Sequence, residues 1–290
     1  MAGAGIKVIN KRIKSVKSTQ QITKAMKMVS AAKLRRSQDR LLAARPYATK
    51  LQHLLQRLAG TGAADHPLFE VRDVKRRLYV VVTSDKGLCG AYNMNVMRAA
   101  QKDMDASRDE GVAVEVLAVG RKGRDFFRKR GYEITASFDD FGGQASDEKA
   151  RQVNDIVAHR FLTGEVDEVR LCYAEFVSTM TQRPNVSTAL PITPPQAEEE
   201  QQDGPALDYI WEPSKEAIYA ALLPQYLRNR LYLALSEAYA SEHGARMTSM
   251  SAATTNAGEM IESLTLQRNR ERQAAITQEI SEIVGGAAAL

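Results

Sequence analysis

The sequence predicts an α/β domain carried between two very long terminal helices. Three observations carry that expectation. Residues 1–58 hold a helical pattern, and so do residues 213–290; only the stretch between them alternates β-branched runs with helical ones. Helices in compact domains average about 11–12 residues, whereas at about 1.5 Å per residue the first of these alone would span roughly 85 Å. Helices of that length pair with each other or pass through something, which points to a shaft or tether and away from a pocket enzyme.

Within the first helix, expected from Ile6 to Leu58, apolar residues recur as Ile6, Ile9, Ile13 and Val16, then move to a shifted register through Ile22, Met26 and Val29 to Ala32; with Gln20 and Thr23 in the seam, the coiled-coil period is expected to be interrupted. Pro46 is expected to kink or restart the helix, and Gly60 to Pro67 to form a linker. Strands are expected at Leu78–Thr83, Val112–Val119, Tyr132–Ser137, Glu168–Phe176 and near Val186–Leu190, with helices at Met94–Arg108, Lys122–Arg130 and 147–163. Alternation of this kind argues for a mostly parallel sheet with helices on its faces. Residues 191–208, with Pro191, Pro194, Pro195, Pro205 and the run Glu198-Glu199-Glu200, read as a solvated connector. The last helix follows Pro213 with Ser214 as its N-cap and Pro224 bending its first section. Its seam is regular through Met247, Met250, Thr254, Ala257, Ile261, Leu264 and Arg268, and resumes as Ile276, Ile280, Ile283 and Ala287 after the polar band Gln267–Gln273. Gly285-Gly286 is expected to fray the end.

At 290 residues, 44% apolar and 26% charged, the chain suits one or two folded domains. No run approaches 18 consecutive apolar residues. The start, Met1-Ala2-Gly3-Ala4-Gly5, has no apolar signal core, so neither a signal nor a transit peptide is expected, and a bacterial-type cytoplasmic setting is. Residues 1–60 carry 14 Lys/Arg against one acid, Asp39, a net of +13; the whole chain is +5, which leaves the remainder acidic. A basic arm of this kind wants an anionic partner: nucleic acid, a lipid surface or acidic loops of another protein. Its charges interleave with an apolar stripe and only Tyr47 is aromatic, which disfavours an RNA reader.

Candidate chemistry is sparse. Ser84-Asp85-Lys86-Gly87-Leu88-Cys89-Gly90-Ala91-Tyr92-Asn93 lies after the first strand, where nucleotide folds hold phosphate, but it has neither GxGxxG nor GxxxxGK[ST] spacing and reads as a structural turn. Gly120-Arg121-Lys122-Gly123 is weaker still. Cys89 and Cys172 are 83 residues apart, and His53, His66, His159 and His243 are scattered, so no metal, disulfide or catalytic set is expected and no cofactor is implied.

Three segments and a fourth match give the chain a resemblance. Ile22-Thr23-Lys24-Ala25-Met26-Lys27-Met28-Val29 through Arg40 to Arg45-Pro46-Tyr47, the Ser84–Gly90 loop, Ser241-Glu242-His243-Gly244-Ala245-Arg246-Met247, and Ile276-Thr277-Gln278-Glu279 with Glu282, Gly286, Ala287 and Ala289 occur in colinear order. The chain resembles the gamma-subunit family of bacterial F-type ATP synthase. That resemblance implies a long antiparallel coiled coil of the terminal helices with a Rossmann-like α/β domain between them, divided as rotor helix 1–60, α/β domain 61–208 and rotor helix 209–290. It implies a central-stalk rotor, itself without catalysis, coupling c-ring rotation and proton flow to ATP synthesis or hydrolysis at the beta subunits.

The implied partners are three alpha and three beta subunits, the epsilon subunit and the c-ring, with no nucleic acid. Membrane association would be indirect, on the cytoplasmic face of the bacterial inner membrane. By position, Met26, Lys27, Arg40, Arg246, Arg268, Gln273, Thr277 and Glu279 would face the alpha/beta ring or support the helix pair. Trp211 and Glu212 would meet the c-ring and epsilon. Lys24, Lys27, Lys33, Arg35, Arg36 and Arg40 suit acidic lever segments of the beta subunits. The connector at 191–208 has no cysteine, so the thiol regulation of photosynthetic relatives is not expected. A nucleic-acid-binding arm and a Rossmann-like enzyme are the competing readings.

Overall fold

The computed structural model describes residues 2–58, 66–193, 212 and 214–288. They fall into two compact units, Met1–Ser30 with Arg246–Leu290, and Ala31–Ala245.

In the first unit, the opening part of α1 (Ala2–Leu58) lies antiparallel to the closing part of α5 (Lys215–Ala288). Thr23 and Thr254 bring their hydroxyl oxygens to 2.8 Å, and Gln20 Nε2 donates to the Thr254 carbonyl at 3.4 Å. On α5 the seam follows the expected spacing: Met250 and Ala257 are buried, with Met247, Thr254, Ile261, Leu264 and Arg268 half-buried. On α1 the expected register shift does not occur. Ile22 and Val29 are each 57% exposed, while Ile9, Ile13, Thr23 and Ser30 are buried, so one heptad phase continues through polar residues. The reason is local: the Thr23 hydroxyl donates to the Gln20 carbonyl at 3.0 Å, so a small polar side chain enters the seam already satisfied.

The expected resumption of the α5 seam also fails. Ile276, Ile280 and Ile283 are 49%, 56% and 71% exposed. Gln20 and Thr23 stand opposite Thr254, so positions nearer the start of α1 face positions further along α5, and Ala2 falls opposite the stretch just before Ile276. The described part of α1 has nothing left to offer the last isoleucines. The helix itself runs through Gly285 to Ala288 rather than fraying, since a helical glycine costs only about 1 kcal/mol. Likewise α1 passes Pro46 and α5 passes Pro224 without a break; both prolines are exposed, so their rings point away from the packed faces.

The second unit is built on a five-stranded sheet: β1 (Arg76–Val82), β2 (Ala113–Val119), β3 (Glu133–Phe138), β4 (Glu168–Phe176) and β5 (Gln182–Leu190), in the order β3-β2-β1-β4-β5. All neighbours are parallel except β4 and β5, which are antiparallel. Strand β5 is longer than expected. Pro184 is accommodated because β5 is an edge strand and needs no second row of donors. Alternation divides the core. Leu78, Val80, Val82, Leu117 and Val119 face α4 (Asp147–Leu162), the end of α1 and the first half of α5; Tyr79, Val81, Val116 and Ala118 face α2 (Tyr92–Asp109) and α3 (Arg121–Arg128). Ser146 caps α4 by accepting from the Lys149 amide at 3.3 Å, and Asp147 and Glu148 complement its positive end. Ser214 caps α5 as expected, accepting from the Ala217 amide at 3.1 Å.

Candidate functional site

In an open parallel sheet, ligands bind beyond the carboxyl ends of the strands where the strand order reverses. Here that place lies between β1 and β4, and it is filled. Tyr92, at the start of α2, donates its hydroxyl to the Ala238 carbonyl of α5 at 3.0 Å, and Ser241 Oγ donates to the Ala174 carbonyl of β4 at 3.0 Å. Gly244 closes the contact: a Cβ there would meet Phe176 at 3.3 Å. A stretch of α5 thus occupies the crevice.

The phosphate position is also taken. The amides that open α3 are spent on the protein itself: Arg121 N donates to Asp85 Oδ1 at 3.1 Å, Lys122 N to the Ser84 carbonyl at 3.1 Å, and Gly123 N to Thr83 Oγ1 at 2.9 Å. Gly120, at φ 100°, lets Thr83 approach so closely that a Cβ would sit 2.2 Å from its carbonyl oxygen. The Ser84–Asn93 loop is a closed turn. Asn93 Oδ1 accepts from the Ser84 amide at 2.9 Å, and its Nδ2 donates to Ser84 Oγ at 2.7 Å and to Cys89 Sγ at 3.2 Å. Its structural reading from the sequence holds. Burial puts the Cys172 thiol well above its usual range, so it is inert packing.

A second set of side chains pins the loop between β3 and α4. Lys149 Nζ donates to the carbonyls of Phe141 (2.5 Å) and Gln144 (2.9 Å), Arg40 Nη1 of α1 to Ala145 (3.2 Å), and His243 Nε2 of α5 lies 2.8 Å from the Gly143 carbonyl. Three helices therefore meet on one run of carbonyls. Burial first and the Arg40 charge second push the Lys149 amine below its usual value, with Asp85 opposing them. Sequence reasoning passed over this arrangement. Its one sequence signal was the pair Gly142-Gly143, which takes positive φ at both positions.

The remaining candidates are dispersed. In the first unit, Met26 and Arg268 are half-buried, Arg268 donating to Asn269 Oδ1 at 3.3 Å; Lys27, Gln273, Thr277 and Glu279 are exposed; Arg246 is buried, at 9%. Arg40 is the candidate drawn into the carbonyl cluster of the second unit. Of the other basic residues, Lys24, Arg35 and Arg36 are exposed and Lys33 is half-buried. Glu212 is exposed, and Trp211 lies outside the described residues.

A family model described as ATP synthase matches residues 5–290. An ATP synthase gamma chain of Desulforamulus reducens is 50% identical over 288 residues, covering 99% of both chains. The chain belongs to the ATP synthase gamma-chain family. Another gamma chain, from an Anaeromyxobacter species, is 50% identical over 287 residues, 97% of this chain and 98% of that one. Solved structures share the fold. One chain of the Euglena gracilis mitochondrial ATP synthase (OSCP/F1/c-ring, rotational state 3) aligns with TM-score 0.68 at 23% identity over 99% of this chain and 95% of that one. One from the Tetrahymena thermophila central stalk and c-ring aligns with TM-score 0.61 at 24% identity over 80% and 99%. As a family member the chain is a central-stalk rotor subunit of an ATP synthase complex and is not itself catalytic. Among the described residues no helix is long and apolar enough to cross a membrane.

Proposed function

We propose that this rotor subunit couples c-ring rotation, driven by proton flow, to ATP synthesis or hydrolysis at the beta subunits of a ring of three alpha and three beta subunits. Epsilon and the c-ring bind around Trp211 and Glu212, and the complex sits on the cytoplasmic face of a bacterial inner membrane. In use the chain divides into rotor helix 1–60, α/β domain 61–208 and rotor helix 209–290. The observation that carries this reading is the bare end of α5, where Ile276, Ile280 and Ile283 stand exposed on a helix that is uncovered among the described residues. A surrounding sleeve of other subunits would cover them. Gln273, Thr277 and Glu279 share that stretch and are exposed enough to meet it; exposed Lys27 and half-buried Met26 and Arg268 lie on the helix pair, while Arg246 is buried and would support it from within.

The exposed cations Lys24, Lys27, Arg35 and Arg36 favour acidic beta-subunit segments over nucleic acid, because they alternate with exposed apolar Ile22, Met28 and Val29, which suit a protein surface. Arg40, half-buried, also donates to the Ala145 carbonyl, which steadies its side chain beside the loop between β3 and α4. Native mass measurement on the chain mixed with alpha and beta subunits tests the reading. One copy with three of each supports it. A chain that stays alone beside competent alpha and beta subunits overturns it.

A further inference from the structure

Folding gathers positive charge at one place in the second unit and leaves it unanswered. Lys33, Arg36, Ser37 and Arg40 recur at helical spacing, so they share one face of α1. That face meets Gly143 and Gln144 of the loop between β3 and α4, and together these residues line a notch. Lys149 of α4 joins the same loop. Its amine holds the Phe141 and Gln144 carbonyls while Arg40 holds Ala145. Like charges three or four positions apart on a helix repel, yet none of Lys33, Arg36, Arg40 and Lys149 forms an ion pair among the described residues. The nearby acids are engaged elsewhere or stand in water. Asp147 and Glu148, which open α4, hold Arg228 (3.5 Å) and Arg151 (2.7 Å). Asp85 accepts from the Arg121 amide at 3.1 Å, and Asp39 is exposed.

Ser37 is a second, independent sign. The residue is only 7% exposed, yet its hydroxyl makes no hydrogen bond among the described residues, and it lines the notch. A hydroxyl withdrawn from water without a partner costs stability, and a ligand that enters can recover it. The notch measures about 10 Å³, room for a single oxygen atom.

We propose that this notch binds inorganic phosphate. One oxygen enters and accepts from the Ser37 hydroxyl; the others stand at the mouth, where Lys33 and the Arg36 guanidinium meet them. Arg40 and Lys149 hold the loop and add their charge from behind. A dianion answers four cations better than one carboxylate does, and a guanidinium fork matches phosphate oxygens two at a time. The site goes beyond the rotor reading. Phosphate held here would occupy cations offered to acidic beta-subunit segments, so the two would compete.

The test is nuclear magnetic resonance of the full chain, with the Gly143 and Gln144 amide signals followed as inorganic phosphate replaces chloride at constant ionic strength. Both signals should shift and saturate. The apparent affinity should fall about tenfold or more in Arg36→Gln and in Ser37→Ala. It should hold in the double variant Lys11→Gln with Lys14→Gln, which removes two exposed cations elsewhere on α1. Signals that drift without saturating, or that saturate equally well in Arg36→Gln, overturn the site. An equal response to acetate also overturns it, because the notch is then a carboxylate receptor for an acidic partner. Arg36 is exposed, so Arg36→Gln decides alone should Ser37→Ala fail to fold.

Discussion

The two units solve the burial problem with opposite chemistry. The α/β unit hides large apolar side chains completely, among them Phe127, Phe161, Leu117 and Leu171, and shields both faces of its sheet. Where it buries charge, it builds a network. Arg77 donates to Glu168 (Nη2 at 2.6 Å, Nε at 2.8 Å) and to Ser107; Arg170 joins Glu168 (2.8 Å) to Asp103 (2.5 Å); and Asp103 accepts from the Tyr79 hydroxyl at 2.5 Å. The helix pair instead buries Thr23, Ser30 and Ala257, and leaves Ile22, Val29, Met260 and Ile280 outside. A narrow seam that mixes Ile9, Ile13 and Met250 with small residues holds the two helices together while leaving other apolar side chains on the surface. The first arrangement suits a rigid body, and the second suits a surface open to other subunits.

Four variants would sharpen or break that contrast. Glu168→Ala should have the largest effect. It removes the carboxylate from Arg77, at a site where the two side chains are 7% and 9% exposed, and should cost about 3–5 kcal/mol in denaturant unfolding, although Arg170 keeps Asp103. A loss below about 1 kcal/mol would mean that the network is solvated. Gly244→Val should overpack the crevice against Phe176 and cost about 1–3 kcal/mol, read as a lower melting temperature. The double change Thr23→Val with Thr254→Val should stay within about 1 kcal/mol of the parent, because both hydroxyls leave together; a strong loss would show that the seam depends on its hydrogen bonds. Ile280→Glu should be the mildest in the isolated chain, within about 0.5 kcal/mol, since the residue is already more than half exposed. Assembly with alpha and beta subunits should nonetheless weaken, and unchanged assembly would show that no sleeve covers this end.

Much of this was legible in the sequence, for identifiable reasons. β-Branched runs at Tyr79–Val82 and Val114–Val119 admit little but buried parallel strands, and the α5 heptads from Met247 to Arg268 declare themselves by spacing. What stayed hidden lay where polarity and burial part company. Gln20 and Thr23 were legible as seam positions, but apolarity also favoured Ile22 and Val29, which stand exposed, while Ser30 is buried in their place. The run of isoleucines near the end of α5 looked like more seam because spacing alone carries no information about where the facing helix stops. The carbonyl cluster met by Arg40, Lys149 and His243 draws on three helices, with more than 200 positions between the first and the last, and no local pattern announces such a meeting.

The filled crevice between β1 and β4 has a further consequence. A soluble ligand for that place would have to displace a competitor that is covalently attached and never diffuses away. Tethering of this kind sustains effective concentrations on the order of millimolar even through a flexible link, and α5 is a continuous helix seated by Tyr92 and Ser241. The chain is in that sense its own permanent inhibitor: a fold able to serve as a nucleotide receptor has been turned into a chuck that clamps its own drive rod.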